Sequence, residues 1–166
     1  TLPPQELSDI IIRYPQELRK QGNQLLHQLK LQEQQKLDQI DRLLPLLARG
    51  DAVHGKSLFF SEKAKCSTCH RVGSEGRQVG PDLSAIGANR APRDLLESIL
   101  FPSATIVRDY DAYTVVLIDG RVLTGLIARE TTDAVELQQP SGMIERISRE
   151  EIDEMSPSNV SLMPSG

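Results

Sequence analysis

Apolar side chains in the first third of the chain recur every three or four positions, the period of a helix that buries one face. Pro3 and Pro4 followed by Glu6 form a helix-start signal, after which Leu7, Ile10 and Ile11 share a face. Pro15 suits the first turn of a second helix, whose face is Leu18, Leu25, Leu26 and Leu29. A third helical stretch over residues 32–47 carries Leu37, Ile40, Leu43, Leu44 and Leu47, with Pro45 expected to kink it or end it early. The intervening positions are rich in Gln and not basic, so these helices are expected to pack on one another or on a neighbouring domain.

Gly50 and Asp51 mark a boundary and a helix cap, followed by a helix over residues 52–60. Gly55 and Phe59 lie one turn apart on it, a small residue beside a large one, which predicts close approach of another helix at Gly55. Residues 72–87 are Gly-rich and read as a loop. Residues 93–101 read as a short helix with Leu95, Leu96, Ile99 and Leu100 inward, ended by Pro102. Then the period changes to two. Residues 113–118 are apolar and β-branched, Asp119-Gly120 is a strong hairpin turn, and residues 121–129 return. Further strands are expected at 134–138 and, after Pro140-Ser141-Gly142, at 143–147. The fold class is therefore α+β, with four or five short strands forming an antiparallel meander or a small SH3-like barrel.

The most specific chemistry lies in Cys66-Ser67-Thr68-Cys69-His70. A C-x-x-C-H run is the requirement for covalent attachment of a c-type haem, in which two thiols add to the vinyl groups and the next imidazole takes an axial position. A zinc half-site would need a second ligand pair, yet the chain holds only two cysteines and three histidines. A redox dithiol needs no following His and should open a helix after a strand, whereas residues 59–63 read as a helix end. A plain disulfide is the remaining ordinary alternative. His27 has no paired ligand nearby and reads as a surface or core histidine.

Other candidates surround this motif. A backbone carbonyl in Gly80-Pro81-Asp82-Leu83 can accept the Nδ1–H of His70, fixing its tautomer, and Pro81 is the candidate. Arg90, with Arg71 and Arg93, can pair with haem propionates. Near the end, Leu162-Met163-Pro164 places a thioether on a stiffened loop, which suits Met163 to the other axial position of the iron. Asp133, Glu136 and Glu145 read as exposed charge with no catalytic grouping.

Composition narrows the classes further. Hydrophobic content of 39% and charged content of 25% are ordinary for a globular chain. A net charge of -4 gives no indication of nucleic-acid binding. No apolar run has the length of a membrane span, and Thr1 opens nothing that resembles a signal peptide. The lack of an initial Met suggests a processed or excised piece of something longer. Aromatics make up 4% with no Trp, so a large apolar cofactor would help to complete a small core.

Taken together, Gly55-Lys56-x-x-Phe59, Cys66-x-x-Cys69-His70, Gly80-Pro81-Asp82-Leu83, Asp119-Gly120-Arg121-x-x-Thr124-Gly125 and Ser161-Leu162-Met163-Pro164 resemble the haem-binding domain family named after Pirellula and Verrucomicrobium proteins. The likeness spans residues 50–166. It implies a class I cytochrome c-like domain, often found at the C-terminus of large exported proteins with dehydrogenase-like propeller or helical-repeat regions. The expected organisation is an N-terminal helical segment (1–49), a first cytochrome part (50–108), an inserted β unit (109–154) and a Met-bearing loop (155–166). Removing the strand-rich stretch brings His70 and Met163 to a separation ordinary for a small cytochrome. Met143, Met155 and His54 are weaker candidates for the second ligand.

The expected function is single-electron transfer through one covalent haem c with His70 and Met163 axial, not enzymatic catalysis. A redox partner or a fused dehydrogenase domain would supply electrons. The alternatives are a haem-based sensor or peroxidase-like site with an open distal position, and a structural module whose β unit docks partners. Because haem is attached to C-x-x-C-H outside the cytoplasm, a periplasmic or otherwise exported location follows. The family usually continues into a helix that crosses near Gly55 and Phe59. Without cover, that face would be apolar and exposed, and homo-oligomeric association would be expected.

Overall fold

A computed structural model describes residues 4–165. The Pro3 side of the first helix start and the terminal Gly166 lie outside the described residues. The chain divides into two compact units, Thr1–Ala48 and Arg49–Gly166.

The first unit is helical. Helix α1 (Pro4–Ile11) turns through Tyr14 into α2 (Gln16–Leu43), which begins directly after Pro15. A single 28-residue helix replaces the two helices expected here. The reason is local: between Leu29 and Leu43 no Gly or Pro interrupts the chain. Glu33 and Lys36 at 3.6 Å, and Gln34 and Asp38 at 2.8 Å, pair along the helix through the expected gap. Pro45 acts as anticipated, since it has no N–H and crowds the preceding turn, and the chain tightens into a 3-10 turn over Leu44–Arg49.

The buried face of α2 also differs from the expected one. Leu26 and Ile40 are buried, whereas Leu18, Leu25 and Leu29 are exposed. Helix α1 selects this face, because Gly22 lets Ile11 come close enough that a Cβ there would meet Ile11 Cγ1 at 3.0 Å.

The second unit joins short helices to a sheet. Helix α3 (Ala52–Phe59) is capped by Asp51, whose carboxylate accepts from the backbone N–H of Val53 at 2.8 Å and of His54 at 3.1 Å. Nothing lies within 4 Å of the Cβ position at Gly55, so the close helix crossing expected there is not made among the described residues. A two-stranded hairpin, β1 (Arg71–Val72) and β2 (Glu75–Gly76), interrupts the expected loop. Helices α4 (Ile86–Asn89) and α5 (Pro92–Leu100) follow. On α5, Leu95, Leu96 and Leu100 are half-buried, but Ile99 is exposed rather than inward.

The strands are β3 (Ala112–Leu117), β4 (Val122–Glu130), β5 (Ala134–Gln138), β6 (Ile144–Ser148) and β7 (Ile152–Pro157). They form one antiparallel sheet in the order β6-β5-β4-β3-β7, so the last strand returns to pair with the first. Asp119-Gly120 makes the β3–β4 turn with Gly120 at φ 86°, a conformation that favours glycine. Gly125 is needed for another reason: a Cβ there would sit 2.5 Å from the Gln138 carbonyl oxygen. The core consists of Val115, Leu117, Leu137 and Ile147, with Leu123, Ile152 and Met155 packed against it. The strand unit therefore runs through Pro157, past the expected limit at residue 154, and Met155 belongs to a strand instead of the terminal loop.

Candidate functional site

The two cysteines stand on a short 3-10 turn, Cys66–Thr68, entered through Lys65 in the left-handed region at φ 54°. The Cys66 carbonyl accepts from the N–H of Cys69 at 3.2 Å and of His70 at 2.9 Å, so one turn of backbone carries both thiols and the imidazole. Both cysteines are free and half-buried, and they form no disulfide. Among the described residues, no group of three or more His, Cys, Asp or Glu side chains is placed to hold a metal ion, so no zinc-type set gathers around them.

His70 is held on two sides. Its Nδ1 lies 2.8 Å from the Pro81 carbonyl oxygen. A carbonyl can only accept, so Nδ1 is the donor of this bond and Nε2 is the ring nitrogen left for another partner. No protein group among the described residues bonds Nε2. Gly80 lies flat against the ring, where a Cβ would come to 2.7 Å from Cε1, 3.0 Å from Nδ1 and 3.2 Å from Nε2. Glycine is thus required by space, since any side chain would push the imidazole away from Pro81.

The loop bearing Pro81 is braced in turn. Gly80 N–H and Val79 N–H both donate to the Cys69 carbonyl, at 2.7 and 2.9 Å, and Leu83 N–H donates to the Arg71 carbonyl at 2.9 Å. Asp82 receives the Arg71 guanidinium at 2.9 and 2.5 Å, and the Ser84 N–H and hydroxyl at 2.8 and 2.5 Å. The Ser84 hydroxyl in turn accepts from Gly73 N–H at 2.7 Å. These donors, first Ser84 and then Arg71, lower the Asp82 carboxyl to about 2. Arg71 therefore has a protein carboxylate as its partner, a pairing that the sequence reading did not anticipate.

The other candidates make local contacts of their own. Arg90 is exposed just after α4. Met163 is half-buried in the terminal loop, its N–H bonded to the Ser161 hydroxyl at 3.1 Å, while Ser161 N–H reaches the Ser103 hydroxyl at 3.0 Å. No hydrogen bond or ion pair among the described residues joins Arg90 or Met163 to the Cys66–His70 turn. Met155 packs on the sheet core, Met143 is exposed, and His54 is exposed on α3.

Over residues 49–110 only Val79 and Pro102 are buried, and Phe59, Phe60, Leu83, Ile86, Leu95 and Leu96 are half-buried, so this stretch has little side-chain core of its own. Two thiols on one turn, an imidazole Nε2 with no hydrogen-bond partner among the described residues and a stretch with little core of its own fit a covalently held haem. Cys66 and Cys69 would anchor it and His70 Nε2 would ligate its iron.

No protein-family model matches the chain, and no curated protein matches it. Among solved structures, it is similar to that of the pleiotropic translational regulator Hfq, at 18% identity and a TM-score of 0.28, over 39% of this chain and 86% of that chain. A likeness of that size does not establish a shared fold.

Proposed function

We propose that the chain is a single-electron carrier of the c-type cytochrome class. The observation that carries the reading is the hold on His70: Nδ1 bound to the Pro81 carbonyl at 2.8 Å and the ring face filled by Gly80. With Nδ1 and the ring face both held by protein, Nε2 is the nitrogen left for an axial bond, an arrangement that a surface histidine does not need. Bound haem would supply a ferric–ferrous couple. The protein's own part is to anchor with Cys66 and Cys69 and to orient and polarise with His70 and Pro81. Met163, on a loop stiffened by Pro164 and tethered at Ser103, is the candidate sixth ligand. Arg90 remains available for a propionate.

In this reading the helices of residues 50–108 form a class I cytochrome c-like part. The strand unit is an inserted SH3-like barrel, supported by the return of β7 to β3 after a 3-10 turn at Arg149–Glu151. The partner is a redox protein or a fused dehydrogenase, and the location is periplasmic or otherwise exported, where haem is attached to such motifs. No described helix is long and apolar enough to cross a membrane.

The test is an absorption spectrum of the protein as isolated, ferric and ferrous, with and without carbon monoxide, together with a pyridine haemochrome. A Soret band, a c-type haemochrome and no carbon monoxide adduct are expected. Absence of the haemochrome removes the proposal. A ferrous adduct formed without loss of another ligand instead favours a sensor or peroxidase-like site with an open position.

A further inference from the structure

The turn between β5 and β6 lies on the loop that follows the Cys66–His70 turn. Arg77 Nη1 donates to the Ser141 carbonyl at 2.6 Å, and Cys69 Sγ lies 3.9 Å from the Pro140 carbonyl oxygen. A Cβ on Gly142 would come to 3.1 Å from Arg77 Nη1 and 3.6 Å from Val79 Cγ2. Gly142 also sits at φ 84°, so both its conformation and its neighbours call for glycine. These contacts join residues more than sixty positions apart.

On its other side, the strip they touch is strapped to the thiol-bearing turn. Arg77 N–H donates to the Ser67 carbonyl at 3.1 Å, and Val79 and Gly80 N–H both donate to the Cys69 carbonyl. Val79 is 4% exposed, one of the two buried residues of the whole 49–110 stretch. Opening this loop would have to break a charge-assisted hydrogen bond and uncover Val79.

We propose that the β5–β6 turn is a latch on the cysteine-bearing loop, with Arg77 as its positioning residue. Through it the strand unit controls how readily residues 66–80 open to solvent. The redox consequence rests on the haem reading above, whereas the latch itself is a property of the polypeptide. Opening the latch admits water to the edge at Cys69, which stabilises the ferric charge and lowers the reduction potential.

The test compares Arg77→Gln and Gly142→Val with the wild-type chain by amide hydrogen exchange and by potentiometry. Arg77→Gln removes the charge and the forked donor, whereas Gly142→Val keeps Arg77 and displaces the turn. Exchange at Arg77, Val79 and Gly80 should quicken roughly tenfold in both variants while amides of β3 and β4 keep their rates. Both potentials should fall. Unchanged exchange at those three amides in both variants overturns the latch. So does a potential that falls in Arg77→Gln alone while Gly142→Val exchanges as wild type, because the effect is then one of charge. If Gly142→Val loses its sheet by circular dichroism, Arg77→Gln decides by exchange. A wild-type protein without a Soret band counts against the haem reading only, and the exchange rates still judge the latch.

Discussion

At the scale of single residues, the site depends on a backbone position too crowded for any side chain. Gly80→Ala would place a methyl 2.7 Å from His70 Cε1, so the ring must swing and release the Pro81 carbonyl. Overpacking of this kind costs about 1–3 kcal/mol, measurable by denaturant unfolding, and should lower the yield of haem-loaded protein. The methionines make a second contrast. Met155→Ala, truncated against Val115 and its neighbours, should destabilise the sheet by about 2 kcal/mol and leave the spectrum unchanged. Met163→Ala should abolish the weak red-edge absorption of ferric Met-ligated haem while the sheet unfolds as before. The reverse pattern would make Met155 the sulfur ligand and overturn the assignment to Met163. Asp82 gives a pH dependence. Its folded-state value is depressed to about 2, so its contribution is present above the ordinary carboxylate range and is lost as pH falls through that value. Asp82→Asn should flatten the acid limb of loop exchange rates between roughly pH 4 and pH 2.

At the scale of elements, the Asp-Gly hairpin and the helix ends marked by Pro15, Pro45, Asp51 and Pro102 were legible, whereas the continuity of α2 and the small β1–β2 hairpin were not. Asp119-Gly120 is a complete local instruction. Glycine takes the left-handed φ, and Asp119 accepts from the Arg121 N–H at 3.0 Å and its guanidinium at 2.8 Å. Gly120→Ala should cost about 1 kcal/mol in the unfolding free energy, with the core otherwise untouched. The strands came out within a residue or so of their pattern because alternation decides the buried face. The continuity of α2 was not legible: a run of Gln without Gly or Pro lacks periodic apolar positions, which looks like a break although nothing in it stops a helix. Its buried face depends on where Ile11 of α1 meets Gly22, a contact that no helical period contains. In the same way β7 was obscured by its charged positions, Asp153 and Glu154, and only its pairing with β3 identifies it as a strand.

At the scale of the whole molecule, the second unit contains everything the proposed chemistry uses. A fragment of residues 49–166 should therefore keep its sheet by circular dichroism and still acquire haem when exported. An unfolded fragment would show that the helical segment is required. That Cys66, Cys69 and His70 stand together was legible because they are neighbours in sequence and share one turn. The Pro81 carbonyl on His70 was also legible from the Gly80-Pro81 loop, but the contact of Ser141 with Arg77 was not, since it spans a long separation and is made by common residue types. Tyr113 pairs with Pro157, and Ser158 N–H reaches the Ala112 carbonyl at 2.7 Å, so the strand unit begins and ends at adjacent points. A segment closed at its own base can be lengthened at turns other than that of residues 140–142 without parting its two ends, which makes such a turn a natural graft point for a reporter or a foreign recognition domain.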